Sequence, residues 1–348
     1  MTLRVALIGY GSAGRGIHAP LLRAAGVAPS VVATASPERM TQVRADLPDA
    51  DVVPDLDAAL ATRPDLAVLA TPSGAHAEQA LACVAAGVPV VVDKPLAVDA
   101  ASARQVVAAA EAAGVPLTVF QNRRWDAENL TLARVLADGQ LGTVHRFERR
   151  WERWRPVPKA RWRERATAAE GGGLLLDLGP HVIDAALLLF GRAGSVYAET
   201  AARTTTAEDD VFVSLVHEGT GVRSHLTLGS VVGAPGPRTR VLGSRAAYVA
   251  TELPGEPAVF EGFADAPGHC GWLVAGDKRR PVPRAPGSAE DFYAAVVAAL
   301  ALPAGEPGAR AAALPVDPWD AVHVAEVIDA ARLSAAEGRR VSLGPLAP

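Results

Sequence analysis

The side chains best placed for proton transfer lie in Gly171-Gly172-Gly173-Leu174-Leu175-Leu176-Asp177-Leu178-Gly179-Pro180-His181-Val182-Ile183-Asp184. On one continuous helix Asp177, His181 and Asp184 stand at i, i+4 and i+7 and share a face. A carboxylate beside an imidazole orients the ring and stabilises its protonated form, as a general base requires. The spacing reads equally as architecture, with Asp177 capping a helix, Pro180 in the first turn and His181 hydrogen-bonded in the core. As a metal site the trio lacks any further converging ligand. A second chemical signal is a lysine. Of 34 basic residues only Lys94, Lys159 and Lys278 are lysine. Lys94 ends the apolar run Val90-Val91-Val92-Asp93-Lys94-Pro95, and Thr71-Pro72-Ser73-Gly74-Ala75-His76 follows another such run. In open α/β sheets ligands bind at these carboxyl ends.

A third signal is Gly9-Tyr10-Gly11-Ser12-Ala13-Gly14, between a predicted strand and a predicted helix. There Gly9 makes the tight turn, Gly11 lets backbone approach a pyrophosphate, and Gly14 permits close helix–strand packing, with the phosphates at the helix N-terminus. About 20 residues on, a carboxylate would accept from a ribose 2′-hydroxyl and repel a 2′-phosphate. The chain instead has Ala33-Thr34-Ala35-Ser36-Pro37-Glu38-Arg39. Ser36 and Arg39 without an acid favour NADP, with NAD the alternative; the plainer reading is a helix cap at Ser36 and a solvated Arg39.

The elements that must hold these groups follow from periodicity. Strands are expected at 3–8, 30–34, 66–70, 89–92 and 117–120, and helices near 12–25, 37–46, 75–86 and 100–113. Such alternation implies a doubly wound parallel sheet, an α/β domain. After about Gln121 the pattern becomes one long helix, a charged strand, a glycine-bounded helix and alternating runs over 195–250, an α+β domain with a mainly antiparallel sheet. Residues 251–287 read as loops or short strands, and helices are expected near 288–302 and 317–337.

Composition narrows the function class. At 348 residues two domains are expected. A net charge of −4 gives no global field for nucleic acid or an anionic membrane. Two cysteines, Cys83 and Cys270, exclude a disulfide scaffold and fit a reducing cytoplasm. The apolar stretch 80–92 contains Gly87 and Pro89 and is short of the ~20 residues a spanning helix needs. The first residues run straight into an apolar strand, without the pattern of a signal peptide. One region tells a different story: residues 146–165 hold eight arginines and Lys159 against Glu148, Glu152 and Glu164, interleaved with Trp151, Trp154 and Trp162. That pattern could suit single-stranded nucleic acid; the plainer reading is a strand and loop beside an anionic cofactor or a subunit interface.

With the glycine motif, Asp93-Lys94-Pro95 and Gly171–Asp184 in this order, the chain resembles the Gfo/Idh/MocA oxidoreductases over residues 1 to about 250. It departs at Asp93, where the family usually has Glu, keeping the charge on a shorter arm. More narrowly, Ile17-His18-Ala19-Pro20, Asn122-Arg123-Arg124-Trp125-Asp126, Arg161-Trp162-Arg163-Glu164 and Asp177-Leu178-Gly179-Pro180-His181 resemble the branch containing NADP-dependent scyllo-inositol dehydrogenases. The resemblance implies an N-terminal Rossmann domain and a C-terminal α+β domain with a large open sheet. The expected division is 1–121 for dinucleotide binding and 122–348 for substrate binding and oligomerisation, as a homodimer or homotetramer. It also implies that Lys94 reaches nicotinamide ribose and substrate hydroxyl while Asp177 and His181 handle the proton.

The expected cofactor contacts are Gly9, Gly11, Ser12, Ala13, Gly14, Ser36, Arg39, Thr71, Pro72, His76, Asp93, Lys94, Asn122, Trp162 and Arg163. The expected substrate contacts are Lys94, Arg123, Trp125, Asp177 and His181, with Asp126 at the rim. The expected reaction is hydride transfer to or from a secondary alcohol of a cyclic polyol or sugar. A non-catalytic NAD(P)-binding sensor or co-repressor of the same fold is the rival, and retention of Lys94, Asp177 and His181 argues against it.

Overall fold

Six runs pair side by side in a computed structural model of the chain, which describes residues 3–159, 162–251, 261–303 and 308–344. They are Val5–Ile8 (β1), Pro29–Ala33 (β2), Asp51–Val53 (β3), Leu66–Leu69 (β4), Val90–Asp93 (β5) and Leu117–Phe120 (β6), in the order β3-β2-β1-β4-β5-β6. All are parallel. Strands β1, β4, β5 and β6 are buried along their whole length, which is why their sequences are unbroken apolar runs rather than alternating ones. The strand order reverses between β1 and β4, the switch point at which doubly wound sheets take ligands. β3 was not expected. It has three residues, none buried, and lies at the edge, where among the described residues it pairs with β2 alone.

Local signals set the helices. Ser36 caps Pro37–Asp46, with Pro37 in the first turn. Asp99 accepts from Ser102 N to cap Ala100–Ala113, and Gly114 ends it in the left-handed conformation. The helix expected at 12–25 has an unexpected start: Gly14–His18 is π-helical, and Ala19–Ala24 continues it as α-helix.

The second sheet contains Val144–Glu152 (β7), Ala193–Ala201 (β8), Asp210–His217 (β9), Arg223–Gly229 (β10), Thr239–Gly243 (β11), Ala247–Ala250 (β12), His269–Ala275 (β13), Lys278–Pro283 (β14) and Val341–Ser342 (β15). Its order is β14-β13-β12-β11-β7-β10-β9-β8-β15, antiparallel except where β7 meets β10. Val211, Val213, Leu215 and His217 of β9 alternate inward, and helix Gly179–Phe190 packs on β7 and β10. In the segment expected to be loops or short strands, β13 and β14 form a hairpin, while 252–260 lies outside the described residues.

The chain divides into two compact units, Met1–Asn122 with Ser288–Val322, and Arg123–Gly287 with His323–Pro348. The single cut at 121/122 therefore needs correcting. Helix Glu290–Leu300 belongs with the first unit, where Phe292 packs edge-on against Phe120 at 4.9 Å and Tyr293 stacks on it at 5.6 Å. Among the described residues no single helix is long and apolar enough to cross a membrane.

Candidate active site

In the first unit, the glycine loop is held by contacts that leave no room for side chains. Gly9 has φ +94°, and a Cβ there would lie 2.8 Å from the Ala70 carbonyl oxygen; a Cβ on Gly14 would lie 2.0 Å from the Gly9 oxygen. Tyr10 is buried, and its hydroxyl bonds Asp46 at 3.1 Å while Arg15 pairs with the same carboxylate at 2.6 Å. Burial, then the Asp46 bond, pushes the Tyr10 phenol up to about 12. Ser12 is exposed and Ala13 half-buried at the opening of the helix.

Gly11 is different. A Cβ there would meet only the guanidinium of Arg39, its central carbon 3.8 Å away. Backbone without a side chain beside an exposed cation fits a phosphorylated dinucleotide. Ser36 accepts from Arg39 N at 3.4 Å, so the capping reading of its hydroxyl holds.

Two expected cofactor contacts need correction. His76 is 1% exposed, with Nδ1 2.7 Å from the Pro95 carbonyl oxygen and Nε2 2.9 Å from that of Thr71. It ties the two strand-end turns together from beneath. Asp93 is buried as well. Its Oδ1 accepts the Lys94 amide at 2.8 Å and its Oδ2 faces His18 Nε2 at 3.7 Å, longer than a normal hydrogen bond. Both carboxylate oxygens thus point into the protein. Lys94 is half-buried on the turn they support, Pro72 is exposed, and Thr71 donates its hydroxyl to Gln79 at 2.6 Å. Asn122 is half-buried and opens the turn Asn122–Trp125.

In the second unit, Asp177 ends the short helix Leu174–Asp177 and His181 lies in the first turn of the next, Gly179–Phe190. The chain bends by 55° between the segment Ala168–Asp177 and helix Gly179–Phe190, so Asp177, His181 and Asp184 do not share one helical face as the spacing predicts. The cause is Pro180, which has no N–H to offer the Leu176 carbonyl. The glycine run before the first helix is needed for close approach: Gly173 has φ +90°, and a Cβ there would lie 2.2 Å from the Glu208 carboxylate, which accepts Leu175 N at 3.1 Å.

Asp184 parts from the trio. It is 3% exposed and receives Arg124 through two bonds of 2.9 and 2.6 Å, making it an anchor of the 122–125 turn. Arg123 of that turn pairs with Asp126 at 2.9 Å and lies over the Trp151 ring at 5.2 Å, while Trp125 is half-buried. Arg163 lies 3.7 Å from Asp177 and over the ring of the exposed Trp162 at 5.0 Å. Arg161 of the same motif lies outside the described residues.

Asp177 lines a pocket with Arg153, Arg155, Arg163, Glu164, Thr205, Glu208, Asp209 and Ser230, a mixed wall of guanidinium, hydroxyl and carboxylate groups able to donate to and accept from hydroxyls. His181 is half-buried, its ring 5.7 Å from that of Trp151 at 30°. Sequence reasoning missed Trp151 as support for this imidazole. Trp151 is 4% exposed, with Arg238, Arg123 and Arg153 around it at 4.5, 5.2 and 5.4 Å. The alternation Phe147, Arg149, Trp151 along β7 was the available signal, since all three face inward. Arg149 and Arg150 of the basic stretch pair with Glu128 and Glu148 at 3.2 and 3.0 Å. Among the described residues no group of three His, Cys, Asp or Glu side chains converges to hold a metal ion.

Comparison with known proteins bears on the family and the fold. Residues 3–121 match the family described as an oxidoreductase family with NAD-binding Rossmann fold, and residues 129–249 match the GFO/IDH/MocA C-terminal domain. The scyllo-inositol 2-dehydrogenase (NADP(+)) IolW of Bacillus subtilis is 32% identical, over 98% of this chain and 96% of its own. The oxidoreductase YdgJ of Escherichia coli is 39% identical over 71% of this chain and 70% of its own. Among solved structures, the yvaA oxidoreductase of Bacillus subtilis superposes with a TM-score of 0.84 at 30% identity, covering 99% of both chains.

Proposed function

This chain belongs to the Gfo/Idh/MocA oxidoreductase family, and from that premise we propose that it interconverts a secondary alcohol of a cyclic polyol or sugar and its ketone, using NADP in preference to NAD. The observation that carries the reading is Asp177, which lines a polar pocket of hydroxyl, guanidinium and carboxylate groups and is followed four residues on by His181, whose ring lies 5.7 Å from that of Trp151. The names borne by the relatives, an NADP-dependent scyllo-inositol dehydrogenase and an inositol 2-dehydrogenase of Mycolicibacterium gilvum, support the same substrate class.

When bound, a nicotinamide dinucleotide supplies the hydride chemistry. The glycine loop offers backbone N–H groups to its pyrophosphate, and Arg39 offers a guanidinium to a 2′-phosphate. In the oxidation direction His181 accepts the hydroxyl proton, Asp177 stabilises the resulting imidazolium, and Lys94 stabilises the developing alkoxide. Trp151 and the arginines around it keep the imidazole oriented.

The test is a screen of the purified protein with NADP and NAD over inositols, aldoses and their keto forms, read by nicotinamide absorbance. Turnover of at least one cyclic polyol or sugar, faster with NADP, is expected. Tight NADPH binding with no turnover across the panel would overturn the enzymatic reading in favour of a sensor.

A further inference from the structure

Beneath Lys94 the first unit contains a buried chain of polar side chains. His18 is fully buried, with Nδ1 2.6 Å from the Tyr293 hydroxyl and Nε2 3.7 Å from Asp93 Oδ2; Asp93 Oδ1 in turn accepts the Lys94 amide. The chain joins three elements: the π-helical turn after the glycine loop, helix Glu290–Leu300 and the end of β5. The π turn bears on where His18 points, because one extra residue in a turn rotates the residues beyond it by about 100° relative to an α-helix.

Aromatic rings fix the pieces. Phe120 lies 4.4 Å from the His18 ring and stacks on Tyr293 at 5.6 Å and 29°. The imidazole can accept from the Tyr293 hydroxyl at Nδ1 while its Nε2 edge faces Asp93 across 3.7 Å. Burial, then the charge of Asp93, raises the Tyr293 phenol well above its usual value, so it remains a donor. Burial alone would raise Asp93 too. The facing His18, with the charges of Lys94 and His76, outweighs it and holds that carboxyl at about 2.

We propose that His18 and Tyr293 are positioning residues for Lys94, acting through Asp93. The carboxylate links the two sides: one oxygen fixes the backbone from which the lysine side chain departs, and the other faces, at 3.7 Å, a ring that Tyr293 fixes in turn. The catalytic consequence rests on the role proposed above for Lys94; the positioning itself does not.

Two substitutions separate the contacts. In His18→Gln the side-chain amide stands in for Nε2 toward Asp93; in His18→Asn the shorter amide stands in for Nδ1 toward Tyr293 and gives up Asp93. Lys94 is one of three lysines, so its acylation by an amine-reactive ester can be followed by peptide mass spectrometry in the full-length protein, against the exposed Lys278. In His18→Asn, Lys94 should label about threefold faster relative to Lys278 and kcat should fall about tenfold with little change in KM, the scale of a small misplacement. His18→Gln should stay within about twofold of the unmodified protein on both readouts.

Equal labelling in all three proteins, or the same shift in both variants with unchanged melting, would overturn the proposal and leave His18 a packing residue. If the unmodified protein oxidises no polyol, the functional reading fails while the labelling arm still decides the positioning. Should His18→Asn not fold, Tyr293→Phe, which keeps the stacked ring and removes the hydroxyl, takes its place with the same expected rise in Lys94 labelling; no rise refutes the proposal.

Discussion

Replacing Glu128 with glutamine should destabilise the second unit from a point far from the surface. Glu128 lies in the first turn of helix Ala127–Ala137, is 9% exposed, and sets its two oxygens 3.2 Å from Arg149 and 3.6 Å from Arg238. Both guanidiniums are buried, and burial drives Arg238 down to about 10 despite the carboxylate. Removing one partner of a buried ion pair costs about 3–5 kcal/mol, because a charge remains that water cannot reach. Here the lower end applies. Arg149 keeps Asn129 Oδ1 at 2.5 Å and Thr239 Oγ1 at 3.1 Å, and Arg238 keeps the Arg150 carbonyl at 2.5 Å and the Trp151 face. A loss of about 3 kcal/mol corresponds to a melting point lower by roughly 6–12 °C for a unit of this size.

The acid dependence has a definite sign. Burial pushes the Glu128 carboxyl up, but the charges of Arg149 and Arg238 outweigh it and hold it below the usual glutamate value. Its contribution is therefore complete above the unfolded value and is lost as pH falls through the folded one. Thermal melts of both proteins, followed by near-ultraviolet circular dichroism from neutral pH down to about pH 3, test both parts. A variant melting within about 2 °C of the parent at neutral pH, or one showing the same acid limb, would refute the reasoning.

Three further outcomes are expected. Arg39→Ala should narrow the preference for NADPH over NADH in binding titrations, and better NADH binding by the unmodified protein would overturn the assignment. Lys94→Ala and His181→Ala should each lower turnover on the order of 10²–10⁴, with Asp177→Asn milder; a folded His181→Ala protein oxidising its polyol at nearly the parent rate sinks the mechanism. Burial, helped by Arg192, pushes the His323 imidazole down to about 4, so the unfolded chain binds the extra proton and stability should fall as pH drops from about 6.5 toward that value. His323→Leu should flatten that slope in melts at pH 7 and 5, and an unchanged slope would assign it elsewhere.

The first sheet was legible because strands covered on both faces have a one-letter pattern: Leu66–Leu69 and Val90–Asp93 could hardly be anything else. β3 was not, since a three-residue edge strand carries no buried face to leave a period. The return of helix Glu290–Leu300 to the first unit escaped for another reason. Its periodicity shows that it buries a face, but not that Tyr293 meets His18, 275 residues away. Asp177 and His181 stand four residues apart in the sequence, and the proline that breaks their shared face was visible too, but its consequence was underweighted. His76 and Asp93 stood at the right strand ends, yet position alone does not tell a side chain that faces a ligand from one that turns inward to a carbonyl or an imidazole.

The arginine-rich strand shows how far charge counting can mislead. A local excess of six positive charges over 146–165 looks like a field, but alternation sends Arg149 inward to Glu128, and Arg150 is matched by Glu148. What the strand builds instead is a support, running from Glu128 through Arg238 to Trp151 and the His181 ring. The first unit repeats the device with Tyr293, His18 and Asp93 under Lys94. Buried charges and polar groups are costly unless every partner is in place, so such networks are poor devices for stability alone. Two of them, each beneath a half-buried group proposed to act on substrate, are better understood as restraints on where those groups stand. Loosening either network should therefore lower kcat more than it weakens the binding of dinucleotide.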